Sequence, residues 1–218
     1  MKHPPAILGI GRNYAAHANE LGNATPDAPL VFFKNPASVI ANGEPIVIPE
    51  VCDVPDYGVD YEGELGVLIG TTCRDVPKAS ALEVVSHYCV ANDVSHRWWQ
   101  WEGSGGQFCR GKSFDTFCPL SDPVDASIVG DPQSLSIVTK VNDEIVQDST
   151  TANMLFPVHV LVAELSRGTT LLAGTVILTG TPSGVGAAQD PPRFLRAGDE
   201  VTVEIERVGV LRNPVIDG

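Results

Sequence analysis

The chain has 218 residues, 43% hydrophobic and 19% charged, which fits one folded domain with a sizeable core and excludes a disordered chain. Its 27 acids against 14 lysines and arginines leave a formal charge of −13, which argues against general affinity for nucleic acid or an anionic membrane. An anionic small molecule is still admissible, because only the local field at its site matters.

Five cysteines (Cys52, Cys73, Cys89, Cys109 and Cys118) form no C-x-x-C pair. The opening MKHPPAILGIG lacks the apolar run of a signal peptide, and no stretch is long enough to span a bilayer. The expectation is a cytoplasmic protein without a disulfide framework.

In chain order, residues 6–10 (AILGI) read as a first strand. Residues 11–22 then suit about two helical turns, with Asn13 as cap and Gly22 as stop. That helix puts His17 and Glu20 at i and i+3 on one face. A glutamate beside a histidine orients the ring and raises its basicity, as a general base requires; the plainer alternative is a solvated surface pair. The run GIGRNYA imitates a dinucleotide fingerprint, but its helix is too short and no strand ending in an acid follows at the right distance.

Residues 30–33 and 46–48 are short strands, and a Pro- and Asp-bearing loop leads from the second into DYEGELGVLIG, residues 60–70. On a strand, Glu62 and Glu64 point to one face, and two adjacent carboxylates entering an apolar run would repel each other and lose hydration. A divalent cation between them resolves the conflict; otherwise they are two solvated glutamates at a strand end. Residues 75–86 read as a helix with Pro77 near its first turn. The strand 88–91 ends at Asn92-Asp93, which makes Asp93 the best-placed third ligand. Three carboxylates without clustered His or Cys specify a hard cation, Mg2+ with Mn2+ or Ca2+ as alternatives, and disfavour zinc.

Residues 95–111 carry three tryptophans beside Gly-Ser-Gly-Gly and read as an irregular loop, either a lid over a pocket or a packed loop. Residues 135–141 and 144–147 form a hairpin about Asn142-Asp143, and 157–167 an amphipathic helix. A strand at 175–180 opens into Thr181-Pro-Ser-Gly-Val-Gly186, whose hydroxyls and free amides suit an anion. Strands at 200–206 and 208–211 close the chain. Many short strands with about three helices indicate a β-dominated α+β fold, one domain over 1–218. Arg12, Lys34, Arg97, Arg110 and Lys112 lie in or beside these motifs and point to a locally positive pocket for a keto acid or dicarboxylate. Cys89, inside an apolar strand, reads as an inert buried thiol.

Taken in order, GRNYAAHANELG, FFKNPAS, DYEGELGVLIG, NDVSHRWWQ, GKSFDTFCPL, MLFPVHVLVAELSRGTTLLAGTVILTGTPSGVG and LRNPV resemble the fumarylacetoacetate hydrolase family over nearly the whole chain. The branch it resembles holds acylpyruvate hydrolases, oxaloacetate decarboxylases and homoprotocatechuate-pathway isomerase/decarboxylases of aromatic-compound catabolism. The resemblance implies a rolled mixed β-sandwich and a homodimer. It implies Mg2+ on Glu62, Glu64 and Asp93, a His17–Glu20 dyad, an active-site lysine at Lys112, and substrate contacts at Gln100 and Thr181, beside Arg12 and Arg97. The implied reaction is hydrolysis of a C–C bond in an acylpyruvate- or fumarylpyruvate-like substrate through an enolate that the metal stabilises. The alternatives are oxaloacetate decarboxylation, or isomerisation or decarboxylation of 2-hydroxyhepta-2,4-diene-1,7-dioate or 5-oxopent-3-ene-1,2,5-tricarboxylate. Another class altogether is a silent, keto-acid-binding or structural relative. His96 and Trp98 beside Arg97, and Ser121-Asp122 after CPL, depart from the family pattern.

Overall fold

Two curled, mixed sheets enclose the core, as the α+β expectation required; the structure is a computed structural model that describes residues 3–218. The larger sheet runs, neighbour to neighbour, through Leu30–Lys34, Ile7–Gly11, Val176–Leu178, Gly63–Ile69, Val85–Asn92, Cys118–Leu120 and Val39–Ala41. The smaller runs through Glu144–Thr150, Ser136–Val141, Glu200–Ile205, Gly209–Asp217 and Ile46–Ile48. Three of the pairings are parallel and the rest of the two ladders antiparallel, which makes both sheets mixed.

The period-2 patterns explain how the sheets face each other. Ser136–Val141 and Glu200–Ile205 alternate exposed or half-buried with buried residues, so Ile137, Val141, Val201, Val203 and Ile205 turn inward. Gly63–Ile69 is buried at every position because it is covered on both faces. Leu65, Val67 and Ile69 join the core between the sheets, and Leu68 joins a second cluster with Ile7, Cys89, Cys118 and Leu178. Glu64 shares the Leu68 side by its even spacing, at the end of that face.

Several expected elements changed form. Residues 75–86 hold no α-helix; Lys78–Val84 is 3-10, entered from Pro77 in an extended conformation and ended by the strand that starts at Val85. Residues 95–111 are not irregular: Ser95–His96 pairs with Val59–Asp60, and the short helices Arg97–Gln100 and Phe108–Gly111 follow. His96 caps the first of these by accepting the Trp99 N–H, and the loop proper shrinks to Gly105 and Gly106, both at positive φ. The last strand continues through Pro214 to Asp217. The hairpin turn at Asn142-Asp143 takes positive φ at both residues, as its sequence demands. All five cysteines are free, and among the described residues no helix is long and apolar enough to cross a membrane.

Asn13 does not cap the helix Ala15–Glu20; Tyr14 holds the cap position without a side-chain bond. Fully buried, Asn13 instead donates to the carbonyls of Phe156 (3.1 Å) and Thr179 (2.7 Å) and accepts the Phe156 N–H (2.8 Å). It therefore joins three distant segments at one point. Asn13→Ala is expected to cost about 2–4 kcal/mol, since it strands three buried backbone groups; the midpoint of urea unfolding measures this, and an unchanged midpoint contradicts the joint.

Candidate metal and acid–base site

The antiparallel pairing of Gly63–Ile69 with Val85–Asn92 sets Gly63 opposite Asn92. One residue further on each chain, the Asp93 N–H donates to the Glu62 carbonyl (2.8 Å), and the Glu62 N–H donates to the Asn92 side chain (3.0 Å). This register brings Asp93 to the two glutamates. Glu62, Glu64 and Asp93 each offer an oxygen within 4.8 Å of the others, and none is more than 5% exposed. Buried, convergent, all-oxygen donors fit a hard divalent cation.

Buried cations surround the acids. The Lys112 ammonium donates to Glu62 (2.9 Å), Asp93 (2.6 Å) and the Ser95 hydroxyl (2.7 Å). Lys34, at the end of its strand and not in the turn after it, donates to the other oxygen of Asp93 and to the Val94 carbonyl. Arg97 directs Nε at Asp60 (2.9 Å) and shares Nη1 between Glu62 (2.7 Å) and Gln100 (2.7 Å). Burial pushes Glu62 up, but Lys112, Arg97 and His17 outweigh it and hold its carboxyl well below the ordinary range. Glu64 goes the other way: burial, then the Asp93 and Glu62 charges, raise it well above. Burial draws Lys112 down, and the Asp93 and Glu62 charges more than restore it, so Lys112 is a fixed positive charge and no base.

The loop Thr181–Gly186 was expected to cradle an anion, and the anions it cradles are the protein's own. The Gly180 N–H donates to Glu64 (2.7 Å), the Gly184 N–H to Glu20 (2.8 Å), and the Gly186 and Ala187 N–H groups to Asp60 (2.8 and 2.9 Å). Gly180 and Gly184 sit at φ of +96° and +106°, where a side chain would also collide with Asn13 or the Val146 carbonyl. Thr181 donates its hydroxyl to the Gly63 carbonyl and accepts from Gln147. Gln147, which also receives the Gly63 N–H, was not legible as a site residue; it comes from the other sheet, 84 positions away.

His17 Nδ1 lies 2.8 Å from Glu20 Oε1. An ionised carboxylate can only accept, so in the neutral ring the proton sits on Nδ1 and the lone pair on Nε2. His17, Arg12, Glu62, Arg97, Gln100, Lys112 and Thr181 all line one narrow cleft. Of the other residues expected at the site, Glu64 and Asp93 lie in the carboxylate cluster with Glu62, and Glu20 stands behind His17 without lining the cleft; Arg110, expected in a positive pocket, lies instead over the Trp99 ring. Ile10, Gly11, Leu21, Asn23, Trp101 and Phe108 complete the wall; Trp101 and Phe108 belong to the tryptophan-rich stretch read as a candidate lid, whereas nothing in the sequence marked Leu21 or Asn23 as lining. Larger grooves elsewhere, such as that between Pro49 and Leu195, hold none of these groups.

Cation binding needs Glu64 ionised, and Glu64 is raised, so affinity for Mg2+ should climb with pH through that raised value. Binding should release protons, read by calorimetry in buffers of different ionisation enthalpy; no buffer dependence contradicts the assignment. Glu62→Gln should weaken Mg2+ binding by roughly 10- to 100-fold or more, and equal affinity would remove Glu62 from the ligand set.

Comparison with known proteins adds the following. A family model described as fumarylacetoacetate (FAA) hydrolase C-terminal matches residues 6–216. The mitochondrial oxaloacetate tautomerase of Xenopus laevis is 41% identical over 215 residues, which cover 98% of this chain and 66% of that protein. Its human counterpart is 40% identical over 214 residues, covering 98% and 67%. The chain thus spans about two thirds of the length of these relatives. Among solved structures, the 5-carboxymethyl-2-hydroxymuconate delta-isomerase of Mycobacterium smegmatis matches with a TM-score of 0.86 and 39% identity, covering all of this chain and 80% of that one. The maleylpyruvate hydrolase of Sphingobium sp. SYK-6 matches with a TM-score of 0.82 and 30% identity, covering 100% and 72%.

Proposed function

This chain belongs to the fumarylacetoacetate hydrolase family, and from that premise we propose that it is a divalent-cation-dependent enzyme that moves a proton on a 2-oxo acid. The observation that carries this reading is the meeting of three buried carboxylates with the His17–Glu20 pair in one cleft. A silent relative has no physical need for both. Glu62, Glu64 and Asp93 would hold Mg2+, or Mn2+ or Ca2+. Such a cation supplies Lewis acidity to the carboxylate and 2-oxo oxygen of the substrate, which makes the adjacent carbon acidic.

The protein's own groups do the rest. His17 Nε2 accepts a proton from the carbon next to the 2-oxo group and returns it at carbon or oxygen, which interconverts keto and enol forms. Glu20, itself held by the Gly184 N–H, keeps the ring in the required tautomer and stabilises it when protonated. Lys112 stays charged and offsets negative charge as it grows on the substrate oxygens. Proton movement at that carbon accords with the names of the tautomerase and isomerase relatives.

Hydrolysis, the reaction first expected, is the second reading, favoured by the same dyad and by the maleylpyruvate hydrolase likeness. There His17 would deprotonate a water, which adds to the distal carbonyl. The C–C bond then breaks, its electron pair passes to the carbon beside the 2-oxo group, and that carbon is reprotonated. Decarboxylation of oxaloacetate uses the same electron sink. The expected homodimer belongs to this proposal and is measured by light scattering.

A panel with Mg2+ decides among the reactions, scoring enol–keto exchange of oxaloacetate, CO2 release and acetylpyruvate cleavage separately. Exchange is expected to be the fastest. His17→Ala should lower its kcat by about 10²- to 10⁴-fold with keto-acid binding retained. Full activity in that variant would end the role of His17, and inertness of the wild type on the whole panel would end the reading.

A further inference from the structure

The five basic residues that the sequence places around the site have unequal fates. Lys34, Arg97 and Lys112 are each at most 2% exposed and are bound to Asp93, Asp60 and Glu62. Arg110 lies over the Trp99 ring at 4.1 Å, its charge turned to the indole. Arg12 differs. It lines the cleft, is half-buried, and among the described residues its guanidinium has neither an ion-pair partner nor a hydrogen bond.

Its backbone is also held in place. Arg12 has φ of +58°, a left-handed conformation that costs a non-glycine residue free energy and persists only where neighbours impose it. The neighbour is Asn13, locked by its three buried hydrogen bonds, with the paired strand Ile7–Gly11 on the other side. An unpaired, rigidly based guanidinium at the cleft is suited to a carboxylate that arrives with the substrate.

The pairing of charges points the same way. Lys34, Arg97 and Lys112 are each committed to Asp60, Glu62 or Asp93. Among the lysines and arginines that line the cleft, only Arg12 is left to meet a second carboxylate.

Building on the keto-acid reading above, we propose that Arg12 determines specificity by binding the distal carboxylate, so that the site takes a 2-oxo diacid in preference to a 2-oxo monoacid of equal length. The recognition is bidentate and charge-assisted, and Lys112 and Arg97 stay with the protein's own acids.

The test measures binding by calorimetry in saturating Mg2+ for two matched pairs: oxaloacetate against 2-oxobutanoate, and 2-oxoglutarate against 2-oxopentanoate. Within each pair only a carboxylate and a methyl differ. The wild type should prefer the diacid by roughly ten- to a hundredfold in at least one pair. Arg12→Gln should bring that ratio near unity with monoacid and Mg2+ affinities unchanged, and Arg12→Lys should restore part of it. Equal binding of both members by the wild type, or an equal loss of both in Arg12→Gln, overturns the role of Arg12 and leaves the keto-acid reading intact. If none of the four compounds binds, the keto-acid reading falls and this inference with it.

Discussion

Everything at this site depends on keeping four carboxylates buried within a few side chains of one another. Asp60, Glu62, Glu64 and Asp93 would each lose several kcal/mol of hydration if they were ionised alone in the interior. Three buried cations and a set of backbone N–H groups replace the lost water. Lys34 and Lys112 take the two oxygens of Asp93, Arg97 joins Asp60 to Glu62, and the loop amides take Glu64 and Asp60. Glu64 has the poorest share, one N–H and no bound cation of the chain, and burial beside the Asp93 and Glu62 charges holds its carboxyl well above the ordinary range. That imbalance is why the cluster calls for a further positive charge.

The same arrangement explains why the segment with three tryptophans is built of short helices. Arg97 and Lys112 stand at its two ends, and both are drawn into the carboxylate cluster. His96 fixes the first turn by bonding to the Cys52 carbonyl and the Trp99 N–H. Burial lowers the His96 proton affinity, which suits a ring that must accept at one nitrogen. Pinned at both ends, the segment packs tightly in between: Gly103 leaves room for the Trp98 ring and Gly111 for the Gln100 backbone, while Gly105 and Gly106 make the bend.

Much of this was legible in the sequence, for identifiable reasons. The acids at i and i+2, the His17–Glu20 spacing and the strand ending at Asp93 follow from local periodicity, which the backbone respects. The hairpin at Asn142-Asp143 was equally plain, since few residue pairs accept two positive φ values. What escaped was non-local. Asn13 looks like a helix cap on its own and becomes a joint only when residues 143 and 166 positions away arrive. Lys34 was placed at the site by its motif, but its partner was not legible, since only the strand register carries it to Asp93. Gln147 carries no motif at all, and its role exists only because the second sheet lays it over Gly63 and Thr181. The 3-10 segment at Lys78–Val84 was misread because propensity and periodicity do not separate tight from ordinary helical turns.

The loop from Gly180 to Ala187 fastens Glu64, Glu20 and Asp60, all by main-chain donors. Three acids thus share one mechanical part, and a length change there would disturb all three together. A lineage that needed a new substrate could not easily begin at this loop. The tolerant ground is the opposite wall, where Arg12, Leu21, Asn23, Trp101 and Phe108 face the cleft and hold up none of the acids. Diversity of reaction above a constant floor of buried carboxylates is the expected pattern for such a division of labour.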